Sequence, residues 1–138
     1  MNAYVDASVV LRVLLGEPNA LAEWRTLDRL ISSRLLEVEC LRALDRLRVL
    51  ARLDDHTLGQ RRRALLDTLA TVDIVPLDDR VLSRAADPFP TLLGTLDAIH
   101  LATAMEARGD FEDLVFATHD GELAVAALAT GFDVRGRS

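Results

Sequence analysis

Five short apolar runs, at residues 3–6, 30–33, 73–77, 114–118 and 132–134, alternate along the chain with longer stretches of helical character. Strand lengths alternating with helix lengths point to parallel βαβ units, with helices packed on both faces of one sheet. The expected fold is therefore a three-layer α/β/α arrangement around a central, mostly parallel sheet. A helix over 7–15 stops at Gly16 and Pro18, and Asn19 opens a segment to residue 30 in which Leu21, Trp24 and Leu27 keep helical spacing. Residues 34–53 read as a long amphipathic helix, with Leu35, Val38, Leu41, Leu44, Leu47 and Leu50 interleaved with arginines. Thr57 is the expected cap of a helix to residue 70, after a turn made by Asp54, Asp55 and His56. Further helices are expected over 78–86, 97–108 and 121–130, the last closed by Gly131, with one long loop over 87–94 that holds Pro88, Pro90 and Gly94.

Composition narrows the chemistry. The 138 residues are 50% hydrophobic and 28% charged, the balance of one domain over 1–138, and with 4% aromatic residues the core must be packed by aliphatic side chains. No apolar run approaches the roughly 20 residues that span a bilayer, and MNAYVDASVV has no basic region before an apolar stretch, so a cytoplasmic protein without membrane contact is expected. Cys40 is the single cysteine, which forbids an internal disulfide, and its expected place is the core; no Cys/His spacing suggests zinc. All 16 basic residues are arginine. Without lysine the chain cannot build a P-loop or a Schiff base, and an acidic-site phosphatase or aspartyl-phosphate receiver would lack its usual amine. The net charge of −6 is unevenly placed: residues 25–63 hold ten Arg against six acids, and residues 64–138 five against thirteen. A basic stretch of that kind can meet phosphate, with Arg61, Arg62 and Arg63 the best candidates, although mixed-charge helices are also ordinary solvated faces.

In parallel sheets ligands bind beyond the carboxyl ends of the strands. Asp6 closes the first strand, Asp120 follows the fourth, Asp97 opens the helix after the Pro/Gly loop, and Glu39 lies early in the helix after the second strand. Singly, each acid has a plain structural explanation: Asp6, Asp97 and Asp120 as helix N-caps stabilising by about 1 kcal/mol each, and Glu39 as an exposed helix charge. Together in one cleft they would repel and be driven toward protonation unless a cation sat among them. A set of oxygen donors suits Mg²⁺ or Mn²⁺, bound at about 2.1 Å with several waters retained. Such an ion can ionise a bound water and polarise a phosphodiester, and two would stand roughly 4 Å apart.

The segments MNAYVDASVV, SSRLLEVECLRAL, LDAIHLATA and FATHDGEL resemble, in order and spacing, the four acidic motifs of the PIN-domain ribonucleases, most closely the small VapC-type toxins of type II toxin–antitoxin systems. The resemblance runs over nearly the whole chain, and LDAIHLATA is its most specific part. It implies that Asp6, Glu39, Asp97 and Asp120 are catalytic and bind Mg²⁺ or Mn²⁺, with Ser8 and Thr118 as supporting hydroxyls. Glu37 competes for the second place. It lies roughly 160° to 200° around the helix from Glu39, so only one of the two can face the cleft; the run from Glu39 to Leu44 continues as the family motif does. The resemblance further implies an endoribonuclease toxin that hydrolyses phosphodiester bonds in structured RNA such as tRNA or rRNA, a cognate antitoxin protein laid along its groove with a basic residue among the acids, and a homodimer. The alternative is a catalytically idle PIN-like module that binds RNA or protein; all four acidic positions being filled favours catalysis.

The remaining polar and aromatic residues carry weaker expectations. His100, three residues after Asp97, could reach a base or phosphate, but a structural or solvent-facing role is the expectation, as it is for His119; His56 is assigned no role. Ser8 lacks the partners of a nucleophile. Trp24 and Tyr4 are expected in the core or at its rim rather than as base-stacking platforms.

Overall fold

In the computed structural model, which describes residues 1–136, the chain begins with β1 (Asn2–Val5) and passes through Asp6 into α1 (Ala7–Leu14). The last two residues of the domain expected over 1–138 lie outside the described residues. There follow β2 (Arg29–Ser33), α2 (Leu35–Leu50), α3 (Asp55–Leu69), β3 (Val72–Val75), α4 (Asp79–Ala86), α5 (Thr95–Ala107), β4 (Val115–Ala117), α6 (Gly121–Ala129) and β5 (Val134–Arg135). The strands form one five-stranded sheet in the order β3-β2-β1-β4-β5, with each pairing parallel. The expected α/β/α fold is the one observed.

Alternation along the strands divides the core in two. From β1 and β4, Ala3, Val5, Val115 and Ala117 face a layer made by α1, α2 and α3, where they meet Val9, Val10, Leu36, Cys40 and Leu65. Tyr4, Phe116 and Ile31 of β2 face the other layer, against Leu101, Ala104, Leu123 and Phe132. Because both faces are covered, the strands read in the sequence as unbroken apolar runs rather than as alternation. Most of the few aromatic rings stack in the second layer: Tyr4 lies on Phe116 with centroids 5.1 Å apart, and Phe116 meets Phe132 edge-on at 5.6 Å. Helix α5 runs between α4 and α6 against β2, which explains why seven of its 13 residues are buried.

Several local expectations are corrected. The helix expected over 19–30 is absent; the segment holds a single 3₁₀ turn, Trp24–Thr26. Asn19 sits in the left-handed region at φ 62°, and Asp28 is tied to the sheet by its N–H donating to Met1 O at 2.8 Å, which starts β2 a residue early. Leu21, Trp24 and Leu27 still pack on the core, but as separate loop side chains, and so few residues cannot nucleate a helix on their own. Helix α2 stops at Leu50 rather than 53, with Arg52 at φ 52°, and it buries Leu36, Cys40 and Leu44 while Val38 and Leu50 stay exposed. Asp54, not Thr57, caps α3: its carboxylate accepts from Thr57 N at 2.7 Å and from Thr57 Oγ1 at 3.0 Å, so Asp55 and His56 belong to the first turn. Gly94 is the N-cap of α5, which places Asp97 inside its first turn rather than at the cap. Phe132 is buried but lies outside any strand, and β5 begins two residues after it.

One topological fact positions the site. At the centre of the sheet β1 and β4 are neighbours, but α1 leaves β1 toward one face and α6 leaves β4 toward the other. A crevice therefore opens beyond the carboxyl ends of these two strands.

Candidate active site

Asp6 stands at that opening, 5% exposed, with extended backbone at φ −96° and ψ 178°. Its Oδ1 accepts from Ser8 Oγ at 2.6 Å and from Val9 N at 3.2 Å, and its Oδ2 accepts from Thr118 Oγ1 at 2.5 Å. Ser8 Oγ also reaches across the crevice, accepting from His119 N at 3.0 Å, and Thr118 Oγ1 accepts from Asp120 N at 3.0 Å within its own turn. Ser8 and Thr118 thus lock the turn after β1 to the turn after β4 and fix the Asp6 rotamer. Burial pushes the Asp6 carboxyl above its ordinary value, against the lowering effect of these hydrogen bonds and of His100.

Asp120 is exposed and caps α6, its Oδ1 accepting from Leu123 N at 3.1 Å. Asp97 is half-buried in the first turn of α5. Its carboxyl is raised from 3.8 to about 6, first by burial, then by the charges of Asp120 and Asp6 and, more weakly, of Glu39, with His100 acting in the opposite direction. Four acids from four separate segments therefore share one electrostatic environment.

Glu39 faces the crevice from α2 and Glu37 does not. Glu37 is exposed on another side of the helix, beside Arg34, Leu66 and Ile74. The Glu39 side chain is 22% exposed, and its Oε1 lies 2.5 Å from His100 Nε2. His100 is itself buried, and its Nδ1 meets Tyr4 OH at 2.7 Å. The solvent-facing place considered for His100 is thereby excluded, and Tyr4 lies fully in the core. Burial, followed by the charge of Asp6, pushes the Tyr4 hydroxyl well above the usual tyrosine value. Cys40 is buried as expected; burial first, then Glu39 and Asp6, push its thiol up to about 12.

Of the arginine run, Arg61 donates to Leu14 O at 2.8 Å and so serves the fold, while Arg62 and Arg63 are exposed, Arg63 in a surface pair with Asp67 at 3.2 Å. A groove of about 640 Å³ starts at Glu39 instead, walled by Val38, Leu47 and Leu96 with Arg42 and Arg46 along it. The linkage of Glu39 to His100 and Tyr4 had no local signal: the contacts span 61 and 96 positions. The only hint was the three-residue step from Asp97 to His100, which puts both on one side of a helix.

Among the described residues no group of three or more His, Cys, Asp or Glu side chains is arranged so that it could hold a metal ion. The donor chemistry fits a hard divalent cation all the same. The acids supply oxygen alone, they are crowded enough to raise Asp97, and an ionised carboxylate has about four acceptor sites. Asp6 uses three of these for the hydrogen bonds above, and Asp120 and Glu39 each engage one oxygen.

The parallel sheet and the acids beyond its central strands are the features that the likeness to PIN domains led us to expect. Residues 3–128 match the PIN domain family, and the chain belongs to it. It is similar to Ribonuclease VapC46 of Mycobacterium tuberculosis (strain ATCC 25618 / H37Rv), 36% identical over 134 residues that cover 95% of this chain and 94% of the relative. It is also similar to Ribonuclease VapC47 of M. tuberculosis (strain CDC 1551 / Oshkosh), 33% identical over 136 residues, 94% of this chain and 92% of the relative. Among solved structures, PAE2754 from Pyrobaculum aerophilum superposes with a TM-score of 0.65 at 22% identity, covering 97% of this chain and 83% of that one. VapBC-1 from nontypeable Haemophilus influenzae gives 0.60 at 15% identity, over 97% and 96%. At these identities the two structures show a shared fold.

Proposed function

We propose that this chain is a Mg²⁺- or Mn²⁺-dependent endoribonuclease, the toxin of a toxin–antitoxin pair, which hydrolyses phosphodiester bonds in structured RNA such as tRNA or rRNA. The observation that carries the reading is the meeting of Asp6, Glu39, Asp97 and Asp120 at one strand-end crevice, close enough that the other three acids raise Asp97. The relatives named as ribonucleases support it, as do the structural neighbours described as a VapBC and as a toxin–antitoxin complex from Klebsiella pneumoniae (TM-score 0.56, 17% identity, 88% of this chain and 90% of that one).

In this reading the four acids hold the cation. Once bound, it supplies Lewis acidity toward the phosphodiester and a bound water of lowered pKa. The chain's own residues do the rest. Ser8 and Thr118 hold Asp6 in one rotamer; Asp120 is fixed by its capping bond; Asp97, part-protonated near pH 6, gives up its proton when the site fills. Arg42 and Arg46 lie beside Glu39 along the groove and offer guanidinium groups to RNA phosphates. The cognate antitoxin would place an apolar segment against Val38, Leu47 and Leu96 and a basic residue toward the acids. A homodimer and a cytoplasmic site of action complete the reading. No helix among the described residues is long and apolar enough to cross a membrane.

The test is incubation of total RNA with the purified chain and Mg²⁺ or Mn²⁺, with EDTA, and with Asp97→Ala. Discrete fragments that vanish with EDTA and with the variant are expected. Fragments that persist under EDTA would refute metal dependence; an inert wild type that still binds RNA or a protein partner would replace the enzyme by a binding module.

A further inference from the structure

We propose that His100, fixed by Tyr4, is a positioning residue that holds Glu39 in the orientation required to ligate the divalent cation. The inference deepens the metal-dependent reading above and rests on it. Glutamate is among the costlier side chains to immobilise, because of its rotamer entropy, so an acid that must ligate from the side of a helix needs a fixed partner. The partner here is rigid. His100 is 2% exposed on α5, one turn beyond Asp97, so a single helix carries one acid of the crevice and the imidazole that orients another. Tyr4 is 0% exposed, packed flat on Phe116 and edge-on to His100 with centroids 5.9 Å apart. Tyr4 is also two residues before Asp6 on β1. The central strand thus presents one acid directly and steadies a second through an imidazole.

Proton placement follows from the contacts. A nitrogen lone pair facing the Glu39 carboxylate at 2.5 Å would repel it, so Nε2 carries a hydrogen and donates to Oε1. A tyrosine hydroxyl carries its proton at neutral pH, and that of Tyr4 stands 2.7 Å from Nδ1, to which it donates. A phenol on Nδ1 therefore sets the ring as the Nε2–H tautomer. Glu39 Oε1 is engaged by this bond, and Oε2 would be the oxygen offered to a cation. A histidine serving packing alone needs partners for its two nitrogens, but nothing would require one of them to be a crevice acid.

The experiment compares wild type, His100→Gln, His100→Leu, Tyr4→Phe and Asp97→Ala by Mn²⁺ binding calorimetry and metal-free thermal unfolding, with ¹⁵N NMR of the histidine rings in the wild type. The wild-type spectrum is expected to show His100 as the Nε2–H tautomer. His100→Leu is expected to weaken Mn²⁺ binding about tenfold or more, the usual effect of removing a hydrogen-bond partner of a ligand. His100→Gln, whose amide can donate from near the Nε2 position, should recover most of the loss, and Tyr4→Phe should show a smaller loss than His100→Leu. If the histidine variants lower the melting temperature but leave Mn²⁺ affinity within about twofold of wild type, where a ligand partner would cost tenfold, the role is packing and the proposal is overturned. An Nδ1–H tautomer in the wild type overturns it as well, and this arm and Tyr4→Phe stand even if His100→Leu does not fold. Mn²⁺ binding lost in Asp97→Ala but kept in the histidine variants would sink this inference alone. No binding by the wild type would remove the metal reading and the inference with it.

Discussion

Replacing Asp97 by Asn should make the metal-free protein more stable at neutral pH, and the size of the effect can be worked from the crevice. The carboxyl is raised from 3.8 to about 6 by burial and by its acidic neighbours. A rise of that size corresponds to about 3 kcal/mol between low and neutral pH before any screening. Asp97 is partly exposed, so solvent screening cuts this to roughly half. Asn also forgoes the favourable interaction of a charge with the first turn of α5, about 0.5 kcal/mol. The net expectation is a gain of about 1 kcal/mol at pH 7.5, or about 3 °C in melting temperature for a chain of this length. The sign is set by linkage. A carboxyl with its folded pKa above its unfolded one binds its proton more tightly in the folded state, so its contribution is fully present below about 3.8 and is lost as pH rises through about 6. The gain from Asp97→Asn should therefore fade between pH 7 and pH 4. Urea unfolding across that range, with EDTA present, measures it. A variant less stable than wild type at pH 7.5, or a difference that does not change with pH, would refute the account of the crevice as a cluster of repelling carboxylates.

Three further outcomes are expected. Thr118→Val keeps the shape of a fully buried side chain but removes the donor to Asp6 Oδ2, and should destabilise by about 2 kcal/mol in urea, more at pH 8 than at pH 4 because Asp6 loses a bond that lowers its pKa. Leu101→Ala, at a position with no exposure beneath the sheet, should cost about 2–5 kcal/mol by the same measurement without altering Mn²⁺ affinity, because it lines the second core and not the crevice. Mn²⁺ binding at pH 5.5 should release about three-quarters of a proton from Asp97, and almost none at pH 8, as read by calorimetry in buffers of different ionisation enthalpy; equal release at both would contradict the raised carboxyl.

What could be seen in the sequence was whatever had a local cause. The apolar runs around Tyr4 and Phe116 mark strands because a parallel sheet covered on both faces needs apolar side chains in both directions. Asp6 and Asp120 stand out because each follows such a run and precedes a helix. The segment after Asn19 misled because Leu21, Trp24 and Leu27 do bury, at spacings a helix would use, but in a loop that the pairing of Asp28 with Met1 pulls straight. Thr57 reads as a cap, yet Asp54, three residues earlier, binds its N–H and hydroxyl together. Helical geometry alone could not choose between Glu37 and Glu39, since the choice belongs to α5: it is His100, 61 residues away, that faces Glu39. The same distance in sequence hid the role of Tyr4, whose ring reads in isolation as plain core.

The structural and functional explanations of these acids turn out not to compete. Asp6 accepts from Val9 N and Asp120 from Leu123 N, so each caps a helix with one oxygen while it borders the crevice. Their helices α1 and α6, together with α5, turn three N-termini toward the acids, and the partial positive charge of those ends offsets part of the repulsion among them. That is how the fold carries four carboxylates in one crevice. The offset is partial: Asp97 lies within the first turn of α5 behind Gly94, and burial together with its acidic neighbours lifts its carboxyl to about 6. The metal-free crevice thus opposes the charge of Asp97, and in the proposed reaction a bound cation would favour it. A cation that binds more tightly as pH rises through 6, and that loses this dependence in Asp97→Asn, is the consequence.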